Sequence, residues 1–421
     1  MKSNLQKWLL PVLLLFILTN VLAWKFAGKQ SAVRGTNDTS PPSSRSRSSE
    51  RSDEDPERAR QRQESIALAA QKWYEELLEK YPRMKPDFRD VPDEQNGYLQ
   101  FLIFADSLKE PLLTDDLKAM LKGDSAWDKQ KFKAWLAENP DVFDRILHIA
   151  ELPDQSAKGV ALNRLAFGPA RFGGEFSLIL RSAARSAFED GDAAAALRYM
   201  KASSALADHL VEIEVPTMLG EVVGVGMRQG NLDSFHEHFL PQLATNPEAL
   251  KAWQEALFHQ ESPADEYSRV ILGEWNTMVR HSLLPALLGS ESAIDGRLPI
   301  QDVEGFLDAS VAAFLKSADG VSQLGEGRFD AAGAALEMDC SGLDPVTASV
   351  FKDVMGGLEK IPEALGIQVT RRTLHAAAIS ILLGETPPID PVSGKAFSWD
   401  PKTRLLSGPE ENSAVDPIKV P

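Results

Sequence analysis

Two amphipathic segments joined by one short acidic turn constrain this chain more than any other feature. Phe176, Ile179, Leu180, Ala183, Ala184 and Phe188 recur at spacings of three and four, which gathers them on one face of an α-helix. The spacing predicts a helix over 175–188. Glu189-Asp190-Gly191-Asp192 follows, with a glycine able to take positive φ and an aspartate suited to accept from the free N–H groups of the next helix. Residues 193–210 return as the second arm of an αα-hairpin. A similar unit is expected next: 216–227, a turn at Gln229-Gly230-Asn231, then 232–243. The turn glycines Gly191 and Gly230 lie 39 residues apart, a spacing that suits stacked helical hairpins. The alternating stretch 211–215 between the units is read as a connector.

The same periodicity runs through most of the remaining chain. Ile66, Ala69, Ala70, Trp73, Tyr74, Leu77, Leu78 and Tyr81 predict a helix from residue 65 that Pro82 stops. Further helices are expected at 94–108, 131–138 and 141–151, and Thr114 caps another at 115–121 that Gly123 closes. Others are expected at 247–258, 264–287, 302–316, 346–360 and 370–383. Near the end, Ala396-Phe397-Ser398-Trp399 and Thr403-Arg404-Leu405-Leu406 flank Asp400-Pro401-Lys402, a sequence that favours a type I turn. The expectation is an all-α, repeat-like array of helical hairpins, with a small C-terminal β-hairpin whose aromatic side packs on the helices.

Address is legible at the start of the chain. Residues 8–24 form an apolar run behind Lys2 and Lys7, the pattern of an export signal. Its 17 residues stand at the short end of a membrane span, and Val21-Leu22-Ala23 resembles the residues before a signal-peptidase cut. Retention as a single inner-membrane span with a periplasmic body is favoured over cleavage and release. Residues 25–64 are Ser-, Arg- and Pro-rich and bury too little apolar surface to offset their ordering entropy. The division is therefore 1–24 signal or anchor, 25–64 tether, 65–384 helical domain and 385–421 C-terminal hairpin and tail.

The formal net charge is −16; residues 1–64 hold 11 Lys/Arg against 7 Asp/Glu, which leaves −20 on the remainder. Such a body disfavours nucleic acid, whose phosphates need a basic face. The single cysteine, Cys340, permits no intramolecular disulfide. No nucleophile elbow or phosphate-loop signature is present. Gly220 and Gly224, four apart, suit close helix packing. His236-Glu237-His238 is the one cluster that invites a metal, yet on an α-helix the two imidazoles point about 200° apart and a zinc peptidase needs His-Glu-x-x-His. No catalytic residue and no cofactor is assigned, and a small-molecule ligand stays open.

Three stretches carry a resemblance: Ala187-Phe188-Glu189-Asp190-Gly191-Asp192-Ala193, then Val215-Pro216-Thr217-Met218-Leu219-Gly220-Glu221-Val222-Val223-Gly224-Val225, then Pro388-Ile389-Asp390-Pro391-Val392-Ser393-Gly394-Lys395-Ala396-Phe397-Ser398-Trp399. Together they resemble a group of uncharacterised bacterial envelope proteins that have an N-terminal hydrophobic segment, a helical body and a C-terminal Asp-Pro-x-x-Gly hairpin. The last stretch is also similar to the C-terminal region of type II secretion pseudopilins. That likeness implies a calcium site, for which Asp390, Asp400 and Asp416 are the matching carboxylates. The pseudopilin processing motif is missing before the apolar run. Taken together, the sequence favours a non-catalytic interaction or scaffold protein with protein partners. The alternatives are a metal-dependent hydrolase using His236 or His238, and an accessory of a secretion or pilus-like apparatus.

Overall fold

The computed structural model of the protein describes residues 56–108, 112–160, 162–258, 263–280, 303–321, 361–409 and 415–421, with the single positions 284, 343, 345 and 348. The apolar segment 8–24, the tether as far as residue 55, Cys340 and all but one residue of the expected helix 346–360 lie outside the described residues. The rest is mostly helical, with a small antiparallel sheet at the C-terminal end.

Helix α1 spans Pro56–Lys80, so it begins before residue 65 and takes in 56–64, which the sequence assigned to the tether. Apolar periodicity cannot see this turn, because almost nothing in it is apolar. Pro56 suits a first helical position and Glu57 faces the positive end of the helix. Arg60 bonds Glu64 and Gln61 bonds Glu57, each one turn apart. Four short helices follow: α2 Gly97–Ser107, α3 Asp115–Leu121, α4 Lys129–Glu138 and α5 Pro140–Ala150. Thr114 accepts from Leu117 N at the start of α3, and Gly123 takes φ +77° beyond its end, as the sequence predicts.

The central hairpin forms from α6, Leu162–Glu189, and α7, Ala193–Val211. Gly191 turns the chain at φ +87° and Asp192 accepts from Ala195 N at 2.9 Å. The first arm starts well before residue 175, because Gly173 lets it lie against Leu210 of α7 and Val223 of the next helix.

The second expected hairpin does not form. Helix α8, Met218–Ser234, runs through Gln229-Gly230-Asn231 without turning. It continues into a π-helical turn, Phe235–Phe239, and a last turn α9, Leu240–Leu243. The turn-type residues answer to packing instead. A methyl group on Gly230 would overlap the Arg181 guanidinium, and one on Gly224 would overlap Val211. Asn231 is buried, accepts from Ser203 Oγ at 2.7 Å and donates to Ser204 Oγ at 3.3 Å.

Helices α10 Pro247–Leu257, α11 Pro263–Met278, α12 Val303–Val321 and α13 Ile361–Leu383 complete the body. Three apolar clusters hold it. One joins Phe101, Phe172 and Phe176 with the central hairpin. A second gathers Tyr74, Trp275, Phe306 and Phe314. The third centres on Trp253, whose ring stacks on Phe235 and meets Phe239 at a tilt. The C-terminal hairpin is present as β1 Ser398–Asp400 and β2 Leu405–Ser407, in register Trp399↔Leu406. A third strand, β3 Ile418–Lys419, adds to β2 with Leu406↔Ile418. Phe397, Trp399, Leu406 and Ile418 turn inward onto Leu374, Ala377 and Ala378 of α13. Ala396, Ser398 and Asp400 face outward, as a period of two requires.

Candidate functional site

Helix α8 carries a dense set of buried charge. Arg228 interrupts its apolar run and reaches three carboxylates at once. Nε and Nη2 donate to Asp208 Oδ1 at 3.1 and 2.7 Å, Nη2 also donates to Glu212 Oε1 at 3.2 Å, and Nη1 donates to Glu266 of α11. Arg372 of α13 approaches Glu266 from the other side at 3.8 Å. Burial alone would weaken the charge on Arg228, but the carboxylates of Asp208, Glu266 and Glu221 outweigh it and hold the guanidinium more firmly protonated than usual. The same balance holds at Glu266, where burial would raise the carboxyl and the guanidinium groups of Arg228 and Arg372 keep it below its ordinary range.

A recess of about 40 Å³ adjoins this pair, between Val225, Leu232 and Val369 and the polar heads of Arg228, Glu266, Gln368 and Arg372. That is room for about one water molecule. Gln368 Nε2 is buried there without a hydrogen-bond partner, so a water in the recess would satisfy it.

One turn further along α8, Asp233 accepts from Gln229 Nε2 at 2.7 Å and from Arg371 Nη2 of α13 at 2.9 Å. Arg181 lies buried nearby; desolvation pulls its guanidinium down to about 10, and the charge of Asp233 opposes this. Beyond it the rings of His236 and His375 pack edge to face, centroids 5.3 Å apart. Asp233–Arg371 and His236–His375 advance together along the two chains, so α8 with its π turn runs beside α13 in the same direction.

The structure separates the residues that the sequence placed together. His236 meets His375. His238 lies 3.2 Å from Arg185 Nη1, and that guanidinium stacks 4.6 Å over Trp127 and bonds Glu189. Asp390 is fully buried and accepts from Thr370 Oγ1 at 2.7 Å, Val392 N at 3.3 Å, and Ser393 N and Oγ at 3.0 and 2.7 Å. Asp400 closes the hairpin turn by accepting from Lys402 N and Thr403 Oγ1, contacts that hold its carboxyl below the usual range. Asp416 is exposed ahead of β3. Among the described residues, no group of three or more His, Cys, Asp or Glu side chains is placed to hold a metal ion. His236, His238, Asp390, Asp400 and Asp416 therefore do not form a ligand set. Arg228, Glu266 and Arg372 were not singled out by sequence reasoning, and His375 was read only as a lone helix histidine. The signal available was a charged residue inside an otherwise apolar helical stretch, as at Arg228 and Arg371-Arg372.

No protein-family model, curated protein or solved structure matches the chain. Among the described residues no helix is long and apolar enough to cross a membrane. The class that the fold defines is a mostly α-helical protein with a small antiparallel sheet docked on its last helix.

Proposed function

We propose that the chain is a non-catalytic interaction protein of the bacterial envelope, held at the inner membrane by residues 8–24 with its body in the periplasm. One observation carries the reading: the side chains that could have served chemistry are engaged in joining elements of the fold. His236 packs on His375, His238 on Arg185, and Arg228 ties α7 to α11. Asp390 closes a loop onto α13, and Asp400 closes the β1–β2 turn. The recess beside Arg228 is small, about 40 Å³. The acidic body supports protein partners over nucleic acid.

The direct rival is a metal-dependent hydrolase built on His236 or His238. Elemental analysis of the purified full chain separates the two. Metal far below one ion per chain, unchanged in His238→Ala, is the expected result. A stoichiometric ion that the variant loses would replace the interaction reading with the hydrolase.

A further inference from the structure

Arg181 stands apart from the charged side chains that tie the helices together. It lies in the C-terminal half of α6, and α8 runs beside that helix in the same direction. Gly173 packs near Val223 and Met227, Arg181 lies against Gly230, and Arg185 meets His238. Among the described residues, Arg181 has no hydrogen-bond or ion-pair partner, and its Nε is buried. Part of the side chain still reaches solvent. Asp233, the carboxylate whose charge reaches it, already accepts from Gln229 and Arg371.

The opposite helix makes room for this cation. A methyl group on Gly230 would overlap Nη1 and the guanidinium carbon, so the guanidinium has its seat only because residue 230 is glycine. Arg185, one turn further on the same face of α6, extends the cationic strip. Its Nη1 is 3.2 Å from His238 Nε2, its guanidinium lies 4.6 Å over Trp127, and its Nε donates to Glu189 at 3.1 Å. With 27% of its side chain exposed, Arg185 marks the side open to solvent. The carboxylates at this end have donors of their own. Glu189 also accepts from Trp127 Nε1, and Asp190 is paired with Lys129 and Lys133 of α4. Glu237 is exposed on the π turn. Arg181 thus bears the cost of desolvation without the attraction of a bonded counter-ion that would offset it.

We propose that Arg181 anchors an anion site at the α6–α8 junction, which takes a small oxyanion: a phosphate or a carboxylate group. The parallel N–H pairs of a guanidinium match two oxygens of such a group. Gly230 supplies the space against α8, and Arg185 adds a second cation toward solvent.

Inorganic phosphate and acetate are the probes. Each is titrated into the detergent-solubilised full chain in Tris chloride at about pH 7.5, with sodium chloride adjusted to hold ionic strength constant. Melting is followed by circular dichroism. At least one probe is expected to raise the melting temperature saturably, by about 2–4 °C. A general salting effect would grow without saturating and would be equal in every variant. Arg181→Met removes the charge and keeps most of the apolar stem. Gly230→Ala keeps the charge and fills its seat. Each variant is expected to lose the saturable response. A response to phosphate alone identifies a phosphate group as the ligand, and a response to acetate alone identifies a carboxylate. A response to both shows an oxyanion site that does not separate them. All three support the site when the response is lost in whichever variant keeps the parent's helicity. No saturable response in the parent, or an undiminished one in a folded variant, would overturn the proposal.

Discussion

Arg228→Met is expected to lower the unfolding free energy by about 3–5 kcal/mol, the cost of leaving buried charge without its partner. The methionine would keep much of the apolar stem's packing, so the loss isolates the guanidinium. Glu266, with a side chain only 4% exposed, would retain Arg372 at 3.8 Å but lose its direct donor. Asp208 and Glu212 would lose the group that ties the end of α7 to α8. Arg228→Lys is expected to recover only part of the loss, because one ammonium cannot reach three carboxylates with the geometry of a fork. Adding Glu266→Gln to Arg228→Met should restore part of the stability, since it removes a buried carboxylate that has lost its direct donor. Urea unfolding followed by circular dichroism measures all of these. The effect also has a pH signature. The Glu266 carboxyl titrates below its unfolded value of 4.5, so its contribution is full above that pH and disappears as pH falls through the folded value.

Asp390→Ala is expected to cost about 2–4 kcal/mol, since four donors aimed at one buried carboxylate lose their acceptor. The damage should concentrate at the C-terminal end. Asp390 ties the loop before β1 to Thr370 of α13, and its backbone pairs with Lys395 across the same loop. Proteolysis within residues 385–409 is therefore expected to accelerate before the central hairpin opens. Asp390→Asn keeps one acceptor oxygen and should be milder. Added calcium is expected to leave the parent's melting temperature unchanged, because the carboxylate is already occupied by protein donors. A rise in melting temperature with calcium, abolished by Asp390→Ala, would restore the ion site that the pseudopilin likeness implies.

How much of this was legible in the sequence depended on how local its cause is. The α6–α7 hairpin was legible because apolar spacing and the Gly191-Asp192 pair agree within a few residues. Thr114 and Gly123 were legible for the same reason. Gly230 misled, because glycine serves equally a turn and a close approach. Only the buried Arg181 on the opposite helix decides between them. Asn231 misled likewise; its partners Ser203 and Ser204 lie in α7. The contact of His236 with His375 joins positions 139 residues apart, beyond any pattern of spacing. The π turn compounds this, since the extra residue in its ring rotates His236 and His238 away from the α-helical angle used to judge them. Helix start 56–64 was hidden because it is held by side-chain pairs on its own surface and not by an apolar stripe.

Among the described residues, Arg228, Glu266 and Asp390 join elements of the fold, and the proposed interaction role rests on that. Brief in-cell crosslinking, capture of the C-terminally tagged full chain from detergent-solubilised envelopes, and mass spectrometry of the linked peptides test that role most directly. The expected result is a reproducible set of envelope proteins joined to exposed positions of residues 56–421, and the same set captured by His238→Ala. A chain recovered without partners under conditions that capture a known envelope complex would contradict the interaction reading.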